Sequence, residues 1–498
     1  DRYCVLADNQ IFIVFLLKSL REQIETGLLP YGSALPSMSQ LCEIYHVGMR
    51  TVREVLKALA KEGLIQTAER KPSRVIYRPS GNHSPEEPSV RTVLEHRDSI
   101  LSVYETMTIL MPPLFSFSAL VCGEEKMQHC LWILAHEKKV RRNKWQTYSM
   151  FLHEILSASG SLLFRDLYIS LELYAQIPFF WERRGSIVRP GENVISHNTF
   201  WDTGLLKPEN AEEALHYFTA LYRFTTDIIQ EHLKILVSEN PQVKAAGKNV
   251  YSWNADLGRD HYYMQIVRDI IDKIGMGLYK DREFLPPEGI LAGQYQVSVS
   301  TVRKALSDLN RLGFCRTYNV KGTQVTLFND EATFVCMKDR TYKKDTLLYL
   351  SGLQFMALAV PPAVRLTFDR ITDEILDSLA QRFREPNAIP LDLIMDCIIE
   401  QMPLYPFRII LKEVRKTLHW GYYFSFYAEG NQMSNIINQM GLQAFEYLCR
   451  RDRAAFTEQL SACYCHILTF VRNFMTGCGL PEASDIAAPD MSFIRLYI

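Results

Sequence analysis

The sequence has almost no net charge, because 55 lysines and arginines stand against 56 aspartates and glutamates and give a formal charge of −1. A protein without an overall basic field can contact nucleic acid only through a local basic patch. Apolar residues (47%) and charged residues (22%) are at the levels of ordinary soluble domains. The 498 residues are too many for one hydrophobic core, so we expect roughly three to five domains.

The sequence also lacks a disulfide framework, a membrane-spanning run and the motifs of enzymes. Eleven cysteines are an odd number without regular spacing, which is typical of a reducing compartment and predicts a cytoplasmic protein. The apolar run 11–17 is too short to span a membrane and lacks a cleavage site. No nucleophile elbow, phosphate-binding glycine loop, dinucleotide fingerprint or metal-binding His-Glu helix occurs, so we expect no catalysis, no cofactor and no membrane contact.

What the sequence does have is one stretch that occurs twice. Residues 35–63 read LPSMSQLCEIYHVGMRTVREVLKALAKEG, and residues 285–313 read LPPEGILAGQYQVSVSTVRKALSDLNRLG. Thr51 and Thr301 lie 250 positions apart in these stretches. A period of half the chain indicates a fused duplication rather than a solenoid of short repeats.

Each copy has the pattern of two short helices followed by a hairpin. In the first copy Ser37 is a good N-cap, and a second helix with an apolar stripe begins at Arg50 and ends at Gly63. Two short β-prone runs then flank the basic turn 69–74. The second copy repeats this order, with its hairpin over 314–327. Helix, turn, helix and hairpin together predict a winged helix-turn-helix.

These residues resemble the GntR family of bacterial transcription regulators, whose pattern is a Leu-Pro-Ser lead-in, a Val-Ser turn, a Thr-Val-Arg-x-Ala-Leu recognition helix and a glycine-rich wing. Two matches at a constant offset are far more specific than one. The matching segments are Leu35-Pro36-Ser37, Thr51-Val52-Arg53, Leu59 to Gly63, Val297-Ser298, Thr301 to Leu306 and Gly322-Thr323. The resemblance implies two DNA-binding domains, at about 9–78 and 259–328.

Residues 48–78 contain more basic than acidic side chains, as phosphate contacts require. Together with the resemblance, this excess predicts DNA contacts from the first residues of the helices, from the second helices and from the wings. The predicted contact residues are Ser37, Arg50, Thr51, Arg53, Lys57, Arg70, Lys71, Arg74, Ser298, Ser300, Thr301, Arg303, Lys304, Lys321, Gly322 and Thr323. The chain departs from the family at Met38-Ser39 and Glu288-Gly289, where Glu-Arg is usual, and at Gly48-Met49, where Ser-Arg is usual. The two copies differ just before the recognition helix, so we expect them to read different bases.

The rest of the chain has helical periodicity and no run of alternating strands. It predicts a mainly α fold, in which each winged domain is followed by an all-α helical bundle, at 90–237 and 345–498. Linkers are expected at 79–88 and 238–258. The proline pairs 112–113 and 361–362 are predicted to break helices.

The segment 151–167 resembles the FCD domain, a helical ligand-binding domain of one GntR subfamily. Members of that subfamily often hold a divalent metal with an aspartate, a histidine four residues later and two further histidines. The chain has Ser149, His153, Asn210 and His232 at these positions, and its second half has Asp392 and Asp396 at the first two. We therefore expect no metal, while a small acyl or carboxylate effector stays open. The candidate effector contacts are His153, Arg165, His232, Asp392, Asp396 and Arg408.

The sequence thus predicts a DNA-binding transcription regulator in which one chain supplies both halves of the dimer that reads two half-sites. Double-stranded DNA is the expected partner, and a small-molecule effector and pairing of two chains stay open. Two alternatives remain. In the first alternative, the winged units are protein-interaction modules that have lost DNA readout. Acidic side chains should then cover the second helices. Alternatively, a helical domain is a metal-dependent enzyme.

Overall fold

A computed structural model describes most of the chain, and the two halves are described separately below. The described residues are 16–17, 20–21, 24, 31–32, 34–35, 37–38, 41, 49–68, 71–77, 87–128, 144–177, 180, 211–247, 249–253, 255, 262–275, 277–326, 340–385, 388–418 and 428–498. The chain divides into two compact units. The first contains Asp1–Phe115, Cys122–Ile155 and Arg165–Ser252, and the second contains Ser116–Val121, Leu156–Phe164 and Trp253–Ile498.

The first unit contains a winged domain. Helix α1 spans Met49–Lys61 and is followed by strands β1, Ile65–Ala68, and β2, Lys71–Val75. The strands pair antiparallel, with Ile65 opposite Val75. The inward stripe of α1 is buried because its apolar residues recur at helical spacing, at Val52, Val55, Leu56 and Leu59. Gly63 adopts a φ of +73°, which lets the chain leave the helix toward the hairpin.

The second unit contains the other winged domain, with the same local order. Helices α7 (Tyr262–Gly275), α8 (Glu288–Tyr295) and α9 (Val299–Arg311) precede strands β3 (Cys315–Tyr318) and β4 (Gly322–Val325). The strands pair antiparallel from Cys315 opposite Val325 to Tyr318 opposite Gly322. Both predicted hairpins and both predicted second helices are therefore present.

The remaining described residues are helical. The first unit has α2 (Glu87–Glu95), α3 (Arg97–Leu120, whose last residues belong to the second unit), α4 (Lys144–Ser157), α5 (Phe164–Tyr174) and α6 (Ala211–Glu239). The second unit has α10 (Arg340–Thr367), α11 (Asp373–Arg382), α12 (Pro390–Gln401), α13 (Tyr405–Thr417), α14 (Ala428–Cys449), α15 (Arg453–Gly477) and α16 (Met491–Ile494). Within the described ranges the only sheets are the two hairpins, which confirms the mainly α fold with two winged domains.

The prediction that the proline pairs break helices is wrong. Helix α3 runs through Pro112-Pro113, and α10 runs through Pro361-Pro362. Both helices are buried on all sides around their prolines: residues 110–119 of α3 are buried, and residues 354–360 of α10 are at most 1% exposed. Burial on all sides stabilises the helix enough to offset the backbone hydrogen bonds that proline removes. The same two helices are long and apolar enough to cross a membrane, yet their most apolar windows are 72% and 94% buried inside the protein, as in the core helices of soluble proteins.

Candidate nucleic-acid interface

The start of recognition helix α9 is fixed by its own side chains. The backbone N–H of Thr301 donates to Oγ of Ser298 (3.2 Å), which caps the helix. The same oxygen lies 2.8 Å from Oγ of Ser300 and 2.8 Å from Oγ1 of Thr301. Ser298 and Ser300 are exposed and Thr301 is half-buried. The predicted contacts of this turn therefore surround a helix N-terminus, where backbone N–H groups favour an anion such as phosphate.

The two cations of α9 that were predicted to contact DNA both have partners inside the domain. Arg303 donates from its guanidinium to Oε2 of Glu288 over 2.9 Å, and this carboxylate raises the pKa of Arg303. The side chain of Arg303 nevertheless stays 68% exposed. Lys304 places its Nζ 3.9 Å from the ring centroid of Tyr263, a cation–π contact. Arg303 therefore faces solvent beside one acidic group, while Lys304 is turned toward α7.

Replacing Glu288 by glutamine is expected to tighten DNA binding about threefold at low salt, because an acidic group beside the predicted phosphate surface is removed and Arg303 is released. Fluorescence anisotropy at two salt concentrations measures the effect, which should shrink as salt rises. Asp308→Asn is the matched control, since Asp308 pairs with Arg311 (3.5 Å) at the other end of the same helix. Equal effects of the two substitutions would contradict a special place for Glu288.

The wing of the second domain exposes its turn and buries Thr323. Gly322 has a φ of +101° and is exposed, as is Lys321, whereas Thr323 is 6% exposed and its Oγ1 lies 2.9 Å from Oγ1 of Thr317. Thr51 at the start of α1 is also buried, at 1%. A buried side chain offers no surface to a groove, so the predicted contacts at Thr51 and Thr323 are limited to their backbone groups.

In the first winged domain, three of the predicted cations are exposed to solvent. Arg53 and Lys57 are exposed on α1, Arg74 is exposed on β2, and Ser37, which precedes α1 in the motif, is also exposed. Lys71 lies on β2 opposite Ala68, and Arg50 is in the first turn of α1. Arg70, also a predicted contact, falls outside the described residues. Arg53 and Lys57 are four residues apart, so these two exposed cations lie on one face of α1.

The first helical bundle contains a polar cluster that sequence reasoning reached only in part. Ser149 on α4 donates from Oγ to both carboxylate oxygens of Glu172 on α5 (2.9 and 3.1 Å). Nε2 of His153 lies 2.9 Å from Oε2 of the same carboxylate. Glu172 is only 3% exposed, and its charge adds to burial in raising the pKa of Tyr104. The structure therefore brings Ser149 and His153 together around an acidic residue that was not predicted.

The second helical bundle has the corresponding cluster with the charges exchanged. Arg415 on α13 is paired with Asp392 (3.1 Å) and Asp396 (3.2 Å), both on α12. Asp392, Asp396 and Arg415 lie 243 positions after Ser149, His153 and Glu172, and the same offset relates Arg408 to Arg165. An acid that is hydrogen-bonded to two side chains in the first half is thus replaced by a base that donates to two acids in the second. That shared offset was the signal from which Glu172 and Arg415 could have been found.

Neither cluster has a donor set that fits a divalent metal. The first offers one histidine and one carboxylate, and in the second the Arg415 guanidinium already pairs with both carboxylates. Across the described ranges, no group of three or more His, Cys, Asp or Glu side chains is placed to hold an ion. The other predicted effector contacts have different environments. His232 is buried, with its ring centroid 5.8 Å from that of Phe180. Arg165 is half-buried on α5, and the Arg408 guanidinium lies 5.6 Å from the ring centroid of Tyr405.

Replacing Asp392 by asparagine is expected to flatten the pH dependence of stability between about pH 4 and 6. Burial raises the pKa of Asp392 from 3.8 to about 6, although Arg415 opposes the shift. The folded state therefore holds this proton more tightly than the unfolded state, and the resulting stability is full below pH 3.8 and lost as the pH rises through about 6. Thermal unfolding of both proteins from pH 4 to 7 measures the difference. Asp369→Asn, at an exposed position, is the control, and parallel curves for Asp392→Asn and wild type would contradict the assignment.

Comparison with known proteins gives a family match for the two winged segments. The profile of the family described as bacterial regulatory proteins, gntR family, matches residues 15–75 and 262–325. No curated protein matches the chain. Similar solved structures include a Listeria monocytogenes protein described as Lar, which controls expression of the agr system and mediates virulence (16% identity, 43% of this chain, 99% of that chain, TM-score 0.23). They also include a Streptococcus agalactiae GntR (17%, 42%, 99%, TM-score 0.20) and the E. coli protein McbR/YncC (15%, 46%, 98%, TM-score 0.22).

Proposed function

We propose that this chain, which carries two winged domains of the GntR family of bacterial regulatory proteins, is a DNA-binding transcription regulator that works as a single-chain pseudo-dimer. The observation that carries the proposal is the presence of both family domains in one chain, each with a basic recognition helix. On α9 the exposed charged side chains are Arg303, Lys304 and Arg311. On α1 the exposed cations Arg53, Lys57 and Lys61 outnumber the one exposed acidic residue, Glu54. This basic excess on both helices favours DNA over the interaction-module alternative.

The operator in this proposal has two different half-sites. Ordinary dimeric regulators place two identical recognition helices about one turn of DNA apart, so their operators are palindromic. Here Met49-Arg50 opens α1 and Val299-Ser300 opens α9. An arginine and a serine differ in charge, reach and hydrogen-bonding capacity, so the two helices cannot prefer the same base pairs. One chain therefore reads one non-palindromic site.

Control by a small effector belongs to the first helical bundle in this proposal. Glu172 is buried and accepts from Ser149 and His153, so its cluster can exchange these hydrogen bonds for bonds to a ligand. In the second bundle Asp392 and Asp396 are already engaged by Arg415, which makes this cluster a structural ion pair. An effector would act through its difference in affinity between two arrangements of the winged domains.

Selection from a genomic fragment library at two salt concentrations, followed by footprinting, tests the proposal. We expect salt-sensitive binding to a discrete site, one chain per site, and two protected half-sites about one turn apart with different sequences. Two chains per site would instead indicate pairing of chains, and a metabolite that shifts the apparent Kd would mark effector control. Absence of any discrete site would overturn the regulator assignment and favour a protein-interaction role for the winged domains.

A further inference from the structure

Each recognition helix begins with an apolar side chain that is exposed to solvent. Met49, the first residue of α1, is 45% exposed, and Val299, the first residue of α9, is 40% exposed. They are 250 positions apart and therefore equivalent in the duplication. The other valines and leucines of the two helices, which form their inward stripes, are buried: Val52, Val55, Leu56, Leu59, Val302, Leu306 and Leu309. The two exposed residues consequently contribute little to the core of their domains.

Both apolar residues share a face with an exposed arginine. Val299 and Arg303 are four residues apart on α9, and Met49 and Arg53 are four apart on α1. Side chains at this spacing are neighbours on a helix surface. The serine cap at Ser298 fixes the first turn of α9, so the position of Val299 is set before any partner binds. Each helix thus presents an aliphatic group and a guanidinium side by side near its N-terminal end.

From this placement we infer that Met49 and Val299 read the 5-methyl groups of thymines in the major groove, next to the base pairs or phosphates contacted by Arg53 and Arg303. The inference rests on the proposed function. The N-terminal residues of a recognition helix are those that reach base edges, and the thymine methyl is the apolar group among the base edges of that groove. A protein surface would satisfy the aliphatic side chains but not the arginines beside them. A thymine in a phosphate-lined groove satisfies both.

The two helices differ in how strictly they read this methyl group. Valine is β-branched and held in one main rotamer on a helix, so Val299 presents a rigid surface to a methyl at one position. Methionine is unbranched and flexible, so Met49 adapts to a methyl at neighbouring positions. We therefore expect a strict thymine preference in the half-site of α9 and a broader one in the half-site of α1.

Uracil substitution tests the inference because it removes the methyl group and leaves base pairing unchanged. A random duplex pool is selected on the full-length protein, and the best duplex is resynthesised with single thymines replaced by uracil. We expect one substitution in the α9 half-site to weaken wild-type binding about fourfold, the value of one buried methyl-sized group. Val299→Ala should bind the thymine and uracil duplexes nearly equally. Met49→Ala should lose the smaller, more distributed uracil effect in the other half-site.

The controls separate this inference from the proposed function. Leu442→Ala removes an equally exposed aliphatic side chain (46%) from α14 and should keep the full uracil effect of wild type. Salt-sensitive binding to the selected duplex with no loss at any uracil would overturn the methyl readout while leaving the regulator assignment standing. A uracil effect that persists in Val299→Ala would also overturn it. Failure to select any duplex would overturn both.

Discussion

Replacing Arg53 and Arg303 together by alanine is expected to weaken binding to the selected operator by at least about 30-fold, the effect of losing two specific arginine contacts. Both arginines are exposed and lie one turn into the recognition helices α1 and α9. In each helix the opposite stripe is buried in the domain core, so the arginine is on a face that a groove can reach. Fluorescence anisotropy with the selected duplex measures the loss, and the salt dependence should fall with it because cationic contacts to phosphate release counterions.

The controls for this double substitution distinguish readout from charge. Arg311→Ala removes an arginine that is 51% exposed at the far end of α9 and paired with Asp308, and it should change affinity by less than about threefold. Lysine at positions 53 and 303 keeps the charge but loses the planar fork that binds guanine through two hydrogen bonds. We therefore expect lysine to restore non-specific binding and not selectivity. Affinity unchanged in the double alanine variant would remove both residues from the DNA interface.

The winged domains were predictable because their information is local. The apolar spacing and the glycine exit of each second helix lie within a few residues of one another, and the duplication gives the pattern twice. Gly63 leaves α1 with a positive φ, as the sequence pattern indicated, and the structure adds that the serine of the Val297-Ser298 turn caps α9. The prediction that the proline pairs break helices failed because the rule considers only the neighbouring residues, whereas these helices are stabilised by packing against the rest of the protein. Helix α10 is surrounded by protein, and tertiary packing outweighs the cost of Pro361-Pro362.

The side-chain contacts at the candidate sites could not be predicted from local sequence patterns. Glu288 reaches Arg303 across 15 positions, and Lys304 reaches Tyr263 from a different helix. Both contacts depend on how α7, α8 and α9 pack, which no helical period specifies. In the helical bundles the offset of 243 did contain the information, since Glu172 and Arg415 follow it. The equivalence is hidden because an acid is exchanged for a base, and because neither Glu172 nor Arg415 occupies a position of the metal-ligand pattern.

The local sequence also does not show which compact unit a given segment of the chain belongs to. Ser116–Val121 and Leu156–Phe164 come from the first half of the sequence but belong to the second unit. In that unit, Gln354 donates from Nε2 to the backbone carbonyls of both Ser159 (2.9 Å) and Ala487 (2.7 Å). The backbone N–H of Ala487 also donates to the Ser159 carbonyl (3.0 Å). These bonds fix the turn that follows α4, with residue 160 at its centre.

Replacing Gly160 by alanine is expected to destabilise the second unit by at least about 3 kcal/mol, since a backbone strain and a steric overlap coincide there. Gly160 has a φ of +71°, and a Cβ at this position would lie 2.0 Å from the carbonyl oxygen of Asp485. The obstacle is backbone, and the hydrogen bonds at Ser159 prevent the turn from moving away. Urea unfolding followed by circular dichroism measures the loss.

Gly479→Ala is the matched control because it measures the cost of the left-handed backbone conformation without a steric overlap. Gly479 lies in the same unit with a φ of +90°, but an added Cβ would meet no atom within 4 Å. We expect it to cost only about 1 kcal/mol, the penalty of a side chain in the left-handed region. The difference between the two variants is then the energy of the contact between residue 160 and Asp485. Equal losses would mean that this contact relaxes without cost, and that the close approach of the turn is not what positions the 156–164 segment in the second unit.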